Sequence, residues 1–569
     1  MTIPISSIIS TLVVAFAPLL FVFVLPRLAR TVGLFLGWTL KKKTEGRRAH
    51  IVAIMDQESR KSRPSSATSS EKSAAAGLET KSTSSGEWQN VQDPSDKLWD
   101  GIVGFFHPFC NAGGGGERVL WAAIRATQDR WPNAKCVVYT GDHDVTKDQI
   151  LSLVKSRFNI ELHAPNITFL YLSKRHWVLA STWPHFTLLG QSLGSIVLAW
   201  DAFKLLVPDI FIDTMGYAFS LGFSKFLFPG VPTGAYVHYP TISTDMLDSL
   251  DPDSELGTRG VNGGQGVGVR GLAKKVYWKL FARVYSWVGS SIDVVMANST
   301  WTRTHIRALW GPFRGDKDKD HPITAVYPPC AVRELEDEVP VSEATEALRG
   351  KVLVYIAQFR PEKNHQLIIE SFAKFVRTES DAARDAKLVL IGSVRDDADS
   401  KRVYELRLLV NELRIKDHVI FHLDAPWPDV LDWLRRASVG VNGMWNEHFG
   451  IGVVEYQAAG LVCVVHNSGG PKLDIAVEID GQPTGELCYL LSSSTSLPPS
   501  SPLILLTPSS LGFHATTVDE FAECYEKALS LKDPLAWRLR ARKSALRFTE
   551  EEFAREWLAQ AERLVALTK

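Results

Sequence analysis

Twice along this chain, short apolar runs alternate with amphipathic helical stretches, and that rhythm constrains the fold more than any other feature. In the first block, Gly101–Phe106, Lys135–Tyr139, Ile210–Asp213, Gly234–Val237 and Ile292–Ala297 read as buried strands. Helical periodicity covers Thr146–Phe158 and Leu193–Leu206 between them. The second block opens at Lys351–Ala357 and continues with strands near Leu388–Ile391, Val419–Phe421, Val439–Asn442 and Val462–Val465. Strands that are apolar on both faces and separated by helices pack as parallel sheets covered on each side. The expected architecture is therefore α/β, with two doubly wound domains at 98–330 and 345–533 joined near Pro328 to Leu348. Amphipathic helices follow over 534–569. A chain of 569 residues has ample core for both domains.

The ends and connections differ in kind. Ile8 to Leu25 is uncharged and apolar, about long enough to cross a bilayer core with its flanks. Arg27, Arg30, Lys41, Lys42, Lys43, Arg47 and Arg48 follow it and no Lys or Arg precedes it. That asymmetry reads as a single-pass membrane anchor over 1–44 that leaves the bulk of the chain cytosolic; a cleaved signal peptide would carry a basic head first. Val32 to Leu40 is too short to span and suits an interfacial segment. Residues 45–97, rich in Ser, Lys, Glu, Ala and Thr, read as a flexible linker. The Asp- and Gly-rich stretch 245–271 reads as a mobile insertion. The helix that follows, from Leu272 to Trp287, carries Lys275, Lys279 and Arg283 on one face and aromatic and aliphatic residues opposite. A core helix and a membrane-surface helix both fit it. Lys plus Arg equals Asp plus Glu at 63 each, so no global field attracts nucleic acid. The cysteines Cys110, Cys136, Cys330, Cys463, Cys488 and Cys524 are scattered without a Cys-x-x-Cys pair, which suits a reducing compartment. Neither sequon, at Asn166 and Asn298, is expected to meet glycosylation machinery.

Several motifs stand where strands end. Gly113, Gly114, Gly115 and Gly116 follow the first strand and open a helix, Arg118 to Gln128. A glycine loop there can turn backbone N–H groups and a helix N-terminus towards an anion. It is neither a Walker A loop nor a G-x-G-x-x-G fingerprint. Arg360 and Lys363, in Gln358–His365, place two cations beyond the first strand of the second domain, where open α/β sheets bind ligands. Glu447 and Glu455 flank the turn His448-Phe449-Gly450, so both carboxylates can address a ligand at the N-terminus of the helix beginning near Ile451. His238, ending the strand before Tyr239-Pro240, is either a core histidine or an acceptor-site residue. Ser468-Gly469-Gly470-Pro471 is a further glycine turn expected near the ligand.

The string from Glu447 to Gly460 resembles the donor-sugar motif of retaining glycosyltransferases of family 4, which have the GT-B fold: two Rossmann-like domains facing a central cleft. Taken with Phe105–Trp121, Ala357–His365 and Trp445–Glu455, the resemblance narrows to the endoplasmic-reticulum alpha-1,2-mannosyltransferase family of the dolichol-linked oligosaccharide pathway. It covers the chain from about Leu98 onward, plus the anchor. The resemblance implies GDP-mannose as donor and a trimannosyl-di-N-acetylglucosaminyl-diphosphodolichol acceptor, with the fourth and fifth mannoses added on the cytosolic face. Arg360 and Lys363 would neutralise the departing diphosphate. Glu447 would hold mannose hydroxyls with Phe449 and Gly450 beside it, Glu455 would contact ribose, and Gly113–Gly116 would close over the diphosphate. No cofactor or metal is expected; the triplet Asp142-His143-Asp144 mimics the metal signature of the other glycosyltransferase fold but reads as a turn before Val145. The wider family has Gly before its arginine, whereas Phe359 stands there in this chain. In such folds the last helix crosses back to the first domain. Partners implied are membrane lipid and a complex with other mannosyltransferases of the pathway. The competing readings are the alpha-1,3/1,6-mannosyltransferase of the preceding step, a nucleotide-sugar 2-epimerase of the same architecture, and an inactive scaffold.

Overall fold

A computed structural model describes residues 24–62, 99–251, 268–477 and 513–569. Most of the expected anchor, much of the linker, the middle of the 245–271 insertion, Cys488 and residues 478–512 lie outside these. Among the described residues no helix is long and apolar enough to cross a membrane.

Two all-parallel sheets form the body. The first comprises β1 (Ile102–Phe106), β2 (Lys135–Thr140), β3 (Ile167–Tyr171), β4 (Ile210–Asp213), β5 (Thr233–Val237), β6 (Val294–Ala297) and β7 (Thr324–Ala325), in the order β3-β2-β1-β4-β5-β6-β7. The second comprises β8 (Val352–Ile356), β9 (Lys387–Gly392), β10 (Val419–Leu423), β11 (Val439–Asn442), β12 (Val462–His466) and β13 (Phe513–Ala515), in the order β10-β9-β8-β11-β12-β13. In both, strand order reverses beside the first strand. A crevice therefore opens beyond the carboxyl ends of β1 and β4 in one domain and of β8 and β11 in the other. Strands β1, β2, β4 and β5 are buried along their whole length, as the continuous apolar runs require.

The connection between the domains, near Pro328 to Leu348, contains two short helices, Val332–Glu338 and Glu343–Glu346. The final helix, Glu550–Ala566, lies against the Gly115–Arg130 helix of the first domain. Its Trp557 is buried, stacks 6.3 Å from Phe105 and donates from Nε1 to Thr127 Oγ1. Arg118–Glu550 (2.8 Å) and Arg130–Glu562 (2.9 Å) flank it.

The region before the first domain departs from the sequence reading. One helix runs from Leu25 to Ser62, through residues assigned to the anchor's tail and to the flexible linker. Tertiary contact, not intrinsic propensity, explains it. Gly33, Gly37, Leu40, Thr44 and Met55 recur at helical spacing and are buried. A side chain on Gly37 would overlap Leu227 O, so backbone meets backbone there. Arg47 donates to Lys204 O and Leu205 O at the C-terminus of the Thr187–Leu205 helix. Arg48 pairs with Asp209 at 2.6 Å, and Asp56 with Lys135 at 2.7 Å.

The insertion 245–271 is likewise not wholly a loop: its ends belong to the Thr244–Asp248 and Gly268–Ser290 helices. The longer helix packs one face into the core and leaves a second apolar face exposed. Trp278, Phe281, Ala282 and Tyr285 enter the core, while Leu272, Val276, Leu280, Val284 and Trp287 are exposed. Trp287 is therefore on the outer side, not in the core-facing set.

Candidate active site between the two domains

The turn after β11 carries Glu447. Asn446, at φ 52, and Gly450, at φ 109, are both left-handed, and together they fold this turn back over the strand ends. Gly469 and Gly470 hold it in place. Any side chain on either would overlap the backbone of Asn446–Phe449, and Gly470 N donates to Glu447 O at 2.8 Å. The second glycine turn thus packs under the motif as a scaffold. Lys363 comes from the turn after β8 and places Nζ 2.6 Å from Glu447 Oε2. Both side chains are only partly exposed, at 24% and 15%, so the pair is shielded yet reachable. Lys363, Glu447, Asn442, His238 and the Phe449–Gly452 backbone line one compartment of about 270 Å³ between the domains.

Arg360 does not join them. It is extended (φ −114, ψ 154) where the Pro361–Lys363 turn begins, and it lines a separate recess of about 250 Å³ with His365, Arg402 and Glu405. Of the two cations expected to share one diphosphate, Lys363 lines the interdomain compartment and Arg360 lines the neighbouring recess. Phe449 lines the compartment, with its ring buried against Tyr327 (5.8 Å) and Phe548 (5.3 Å).

The glycine loop divides. Gly115 meets the Ile451 side chain of the second domain, and Gly116 lies within 3.6 Å of the His238 ring, allowing for a Cβ. Gly113, at φ 75, faces Arg157 instead. Sequence reasoning missed Glu117. Its buried carboxylate accepts from Ala112 N (2.6 Å) and Gly113 N (2.8 Å), occupying amides that the anion-loop reading left free. Burial raises its pKa, which these amides partly oppose. A glutamate three residues after an uncapped helix start is the signal that could have revealed this. Asp142 supports the same loop by accepting from Cys110 N (2.8 Å) while paired with Arg175. His143 is held by Leu172 O.

His238 Nε2 is buried without a hydrogen-bond partner, and burial lowers the ring's pKa to about 4. His448 is likewise lowered to about 4, chiefly by burial. Both rings are neutral at pH 7 and can donate or accept one hydrogen bond at each nitrogen. Glu455, on the Ile451–Ala458 helix, does not line the Lys363–Glu447 compartment. Burial pushes its carboxyl up to about 7, with the Arg118 charge pulling the other way.

A second group, also missed, spans the domains. Tyr239 stacks on His448 at 4.2 Å, and Trp301 lies 5.2 Å from the same ring. Asn446 Nδ2 donates to Asp245 Oδ2 at 2.5 Å, and His305 Nε2 lies 3.6 Å from that oxygen. Tyr239, Trp301, Asp245, Asn446 and His448 line a cavity of about 570 Å³ adjoining the first compartment. Tyr239 and His448 each follow or precede a singled-out residue, but only the fold brings them together.

Two doubly wound domains facing one another across a compartment at their strand ends have the GT-B architecture. Solved structures share that fold: the N-terminal domain of Candida albicans trehalose-6-phosphate phosphatase (TM-score 0.56, 11% identity, covering 85% of this chain and 100% of that one) and a UDP-forming alpha,alpha-trehalose-phosphate synthase from Burkholderia xenovorans (0.52, 14%, 82% and 100%). Residues 100–310 match the family described as ALG11 mannosyltransferase N-terminus, and 342–488 match glycosyl transferases group 1. Proteins named GDP-Man:Man(3)GlcNAc(2)-PP-Dol alpha-1,2-mannosyltransferase are similar over most of the chain. The Neurospora crassa protein is 64% identical over 97% of this chain and 95% of its own length. Those of Mus musculus and Homo sapiens are 44% and 43% identical over 82% and 81% of the chain, and 87% of each relative. The chain belongs to this alpha-1,2-mannosyltransferase family.

Proposed function

We propose that this chain transfers mannose from GDP-mannose to a Man(3)GlcNAc(2)-diphosphodolichol acceptor, adding the fourth and fifth mannoses in alpha-1,2 linkage. The observation that carries the reading is the Lys363–Glu447 pair, 2.6 Å apart between the domains beside His238 and Gly450. As the bond from mannose C1 to the phosphate oxygen lengthens, negative charge grows on the diphosphate. Lys363 and the N-termini of the Gly115–Arg130 and Ile451–Ala458 helices offset that charge where it develops. Glu447, fixed by Lys363, accepts hydrogen bonds from mannose hydroxyls, and neutral His238 offers its unpaired nitrogen to another. Glu455 accepts from ribose. Alpha donor and alpha product require retention. The acceptor hydroxyl attacks the face the diphosphate leaves, and its proton passes to the departing phosphate oxygen. With fixed positive charge in place, this route needs no metal.

The membrane side of the reading rests on exposed apolar residues. Leu28, Val32, Phe35 and Trp38 of the N-terminal helix are exposed, as are Leu272, Leu280, Val284 and Trp287 of the Gly268–Ser290 helix. Both helices pack against the Ala218–Leu227 helix. We assign this face to the endoplasmic-reticulum bilayer, with the catalytic domains cytosolic and other mannosyltransferases of the pathway as neighbours.

The test is mannose transfer by the purified full chain, using GDP-mannose and a synthetic lipid diphosphate carrying the trimannosyl oligosaccharide. Wild type should form product with or without a chelator, and Lys363→Ala should lower kcat by about 100–1,000-fold. Product from an acceptor lacking the core mannoses would favour the preceding step instead, and abolition by chelator would discard the metal-free route.

A further inference from the structure

The two interdomain cavities are neighbours. Tyr239 and His448 line both, and their stacked rings form the wall between them. If the reading above holds, the donor has a direction within the cleft. Its nucleotide end lies towards Gly452 and Glu455, and its sugar end lies at Glu447. The acceptor must then approach from beyond Glu447, on the side away from Glu455. The larger cavity adjoins the Glu447 turn, lined by Met444, Trp445, Asn446 and His448 and not by Glu455.

We infer that this cavity of about 570 Å³ is the acceptor subsite and takes the terminal mannose of the lipid-linked oligosaccharide, with Asp245 and Asn446 as its hydroxyl-binding pair. The inference rests on the proposed transferase reading. Its volume falls in the range of about 300–1,000 Å³ typical of ligand sites, with the mix such sites need: a mainly apolar lining and a few converging polar groups. Tyr239, Trp301 and Trp445 supply apolar surface for the C–H face of a pyranose. Asp245 Oδ2 accepts from Asn446 Nδ2 of the other domain at 2.5 Å, and the His305 ring lies 3.6 Å from the same oxygen, so the carboxylate is already oriented when a sugar arrives. Asn446 adjoins Glu447 in the chain and is fixed from below by Ser468 Oγ at 2.8 Å. An acceptor hydroxyl bound to this pair is therefore registered against the donor sugar. The lining is shared between domains, so the subsite exists only when they face one another as here.

Two variants test it in the full chain, with donor and acceptor varied separately. Asp245→Asn keeps the shape but removes the charge. Glu362→Trp adds bulk at the exposed rim. Each should raise KM for the trimannosyl lipid acceptor at least tenfold while KM for GDP-mannose stays within twofold. GDP binding, followed by protein fluorescence, reports that each variant is folded; should Asp245→Asn fail that check, Glu362→Trp carries the test. Unchanged acceptor KM in the folded variants overturns the assignment, as does a rise confined to GDP-mannose. A wild-type chain that transfers no mannose would instead remove the transferase reading, and the subsite with it. Those failures are distinguishable.

Discussion

Glu455 shows how a residue legible in the sequence can have its chemistry set by the fold. On a wheel it is simply the second carboxylate of the motif; in the structure, burial lifts its pKa to about 7. A carboxyl raised from its ordinary value binds more protons folded than unfolded. Its contribution to stability is therefore fully present at pH 4 and fades as pH rises towards 7. Ribose hydroxyls donate best to the ionised form, so GDP affinity should follow the opposite course. It should strengthen roughly tenfold between pH 6 and pH 8, and lose that dependence in Glu455→Gln. Calorimetric titration of GDP across this range checks it, and a flat wild-type profile would count against ribose contact. Arg360 marks the limit of residue-level reading. Its spacing from Lys363 suggested joint duty, but spacing does not report which flank of a tight turn a side chain leaves by. Tyr239, Trp301, Asp245 and His448 were invisible for a related reason. They come from separate segments of both domains, and only tertiary structure makes them one group.

Among elements, the strands were the most readable. Continuous apolar runs such as Phe211-Ile212 and Val462–Val465 have little choice but a buried parallel strand, and these lie where periodicity put them. The strands that periodicity did not single out sit towards the sheet margins. β3 begins directly after the polar Ala164–Asn166 turn, and β7 is two residues long. The Leu25–Ser62 helix was misread because its composition, rich in Lys and Arg beyond Leu40, carries no apolar stripe. What holds it are small residues and arginine contacts to carbonyls, features meaningful only once the partner is known. Gly37→Val should therefore act out of proportion to its size. The added side chain would meet Leu227 O, costing about 1–3 kcal/mol by overpacking. Faster proteolysis within 25–62, with the catalytic domains still protected, would be the expected reading.

At the scale of the whole molecule, the two domains are tied by the C-terminal helix as well as by the linker near Pro328. Trp557 fills the space between Phe105 and Thr127, so Trp557→Ala should cost about 3–5 kcal/mol. Its midpoint in chemical denaturation should fall accordingly, and it should fall more in the first domain than in the second, as read by hydrogen exchange. The same arrangement has a consequence for synthesis. Residues 550–566 are made long after residues 102–140, yet they roof the hydrophobic layer beside β1. A nascent chain emerging from the ribosome must hold that half-covered layer until translation nears its end. The lobe translated first is thus completed last, and a chaperone near the ribosome has a defined, time-limited apolar surface to guard.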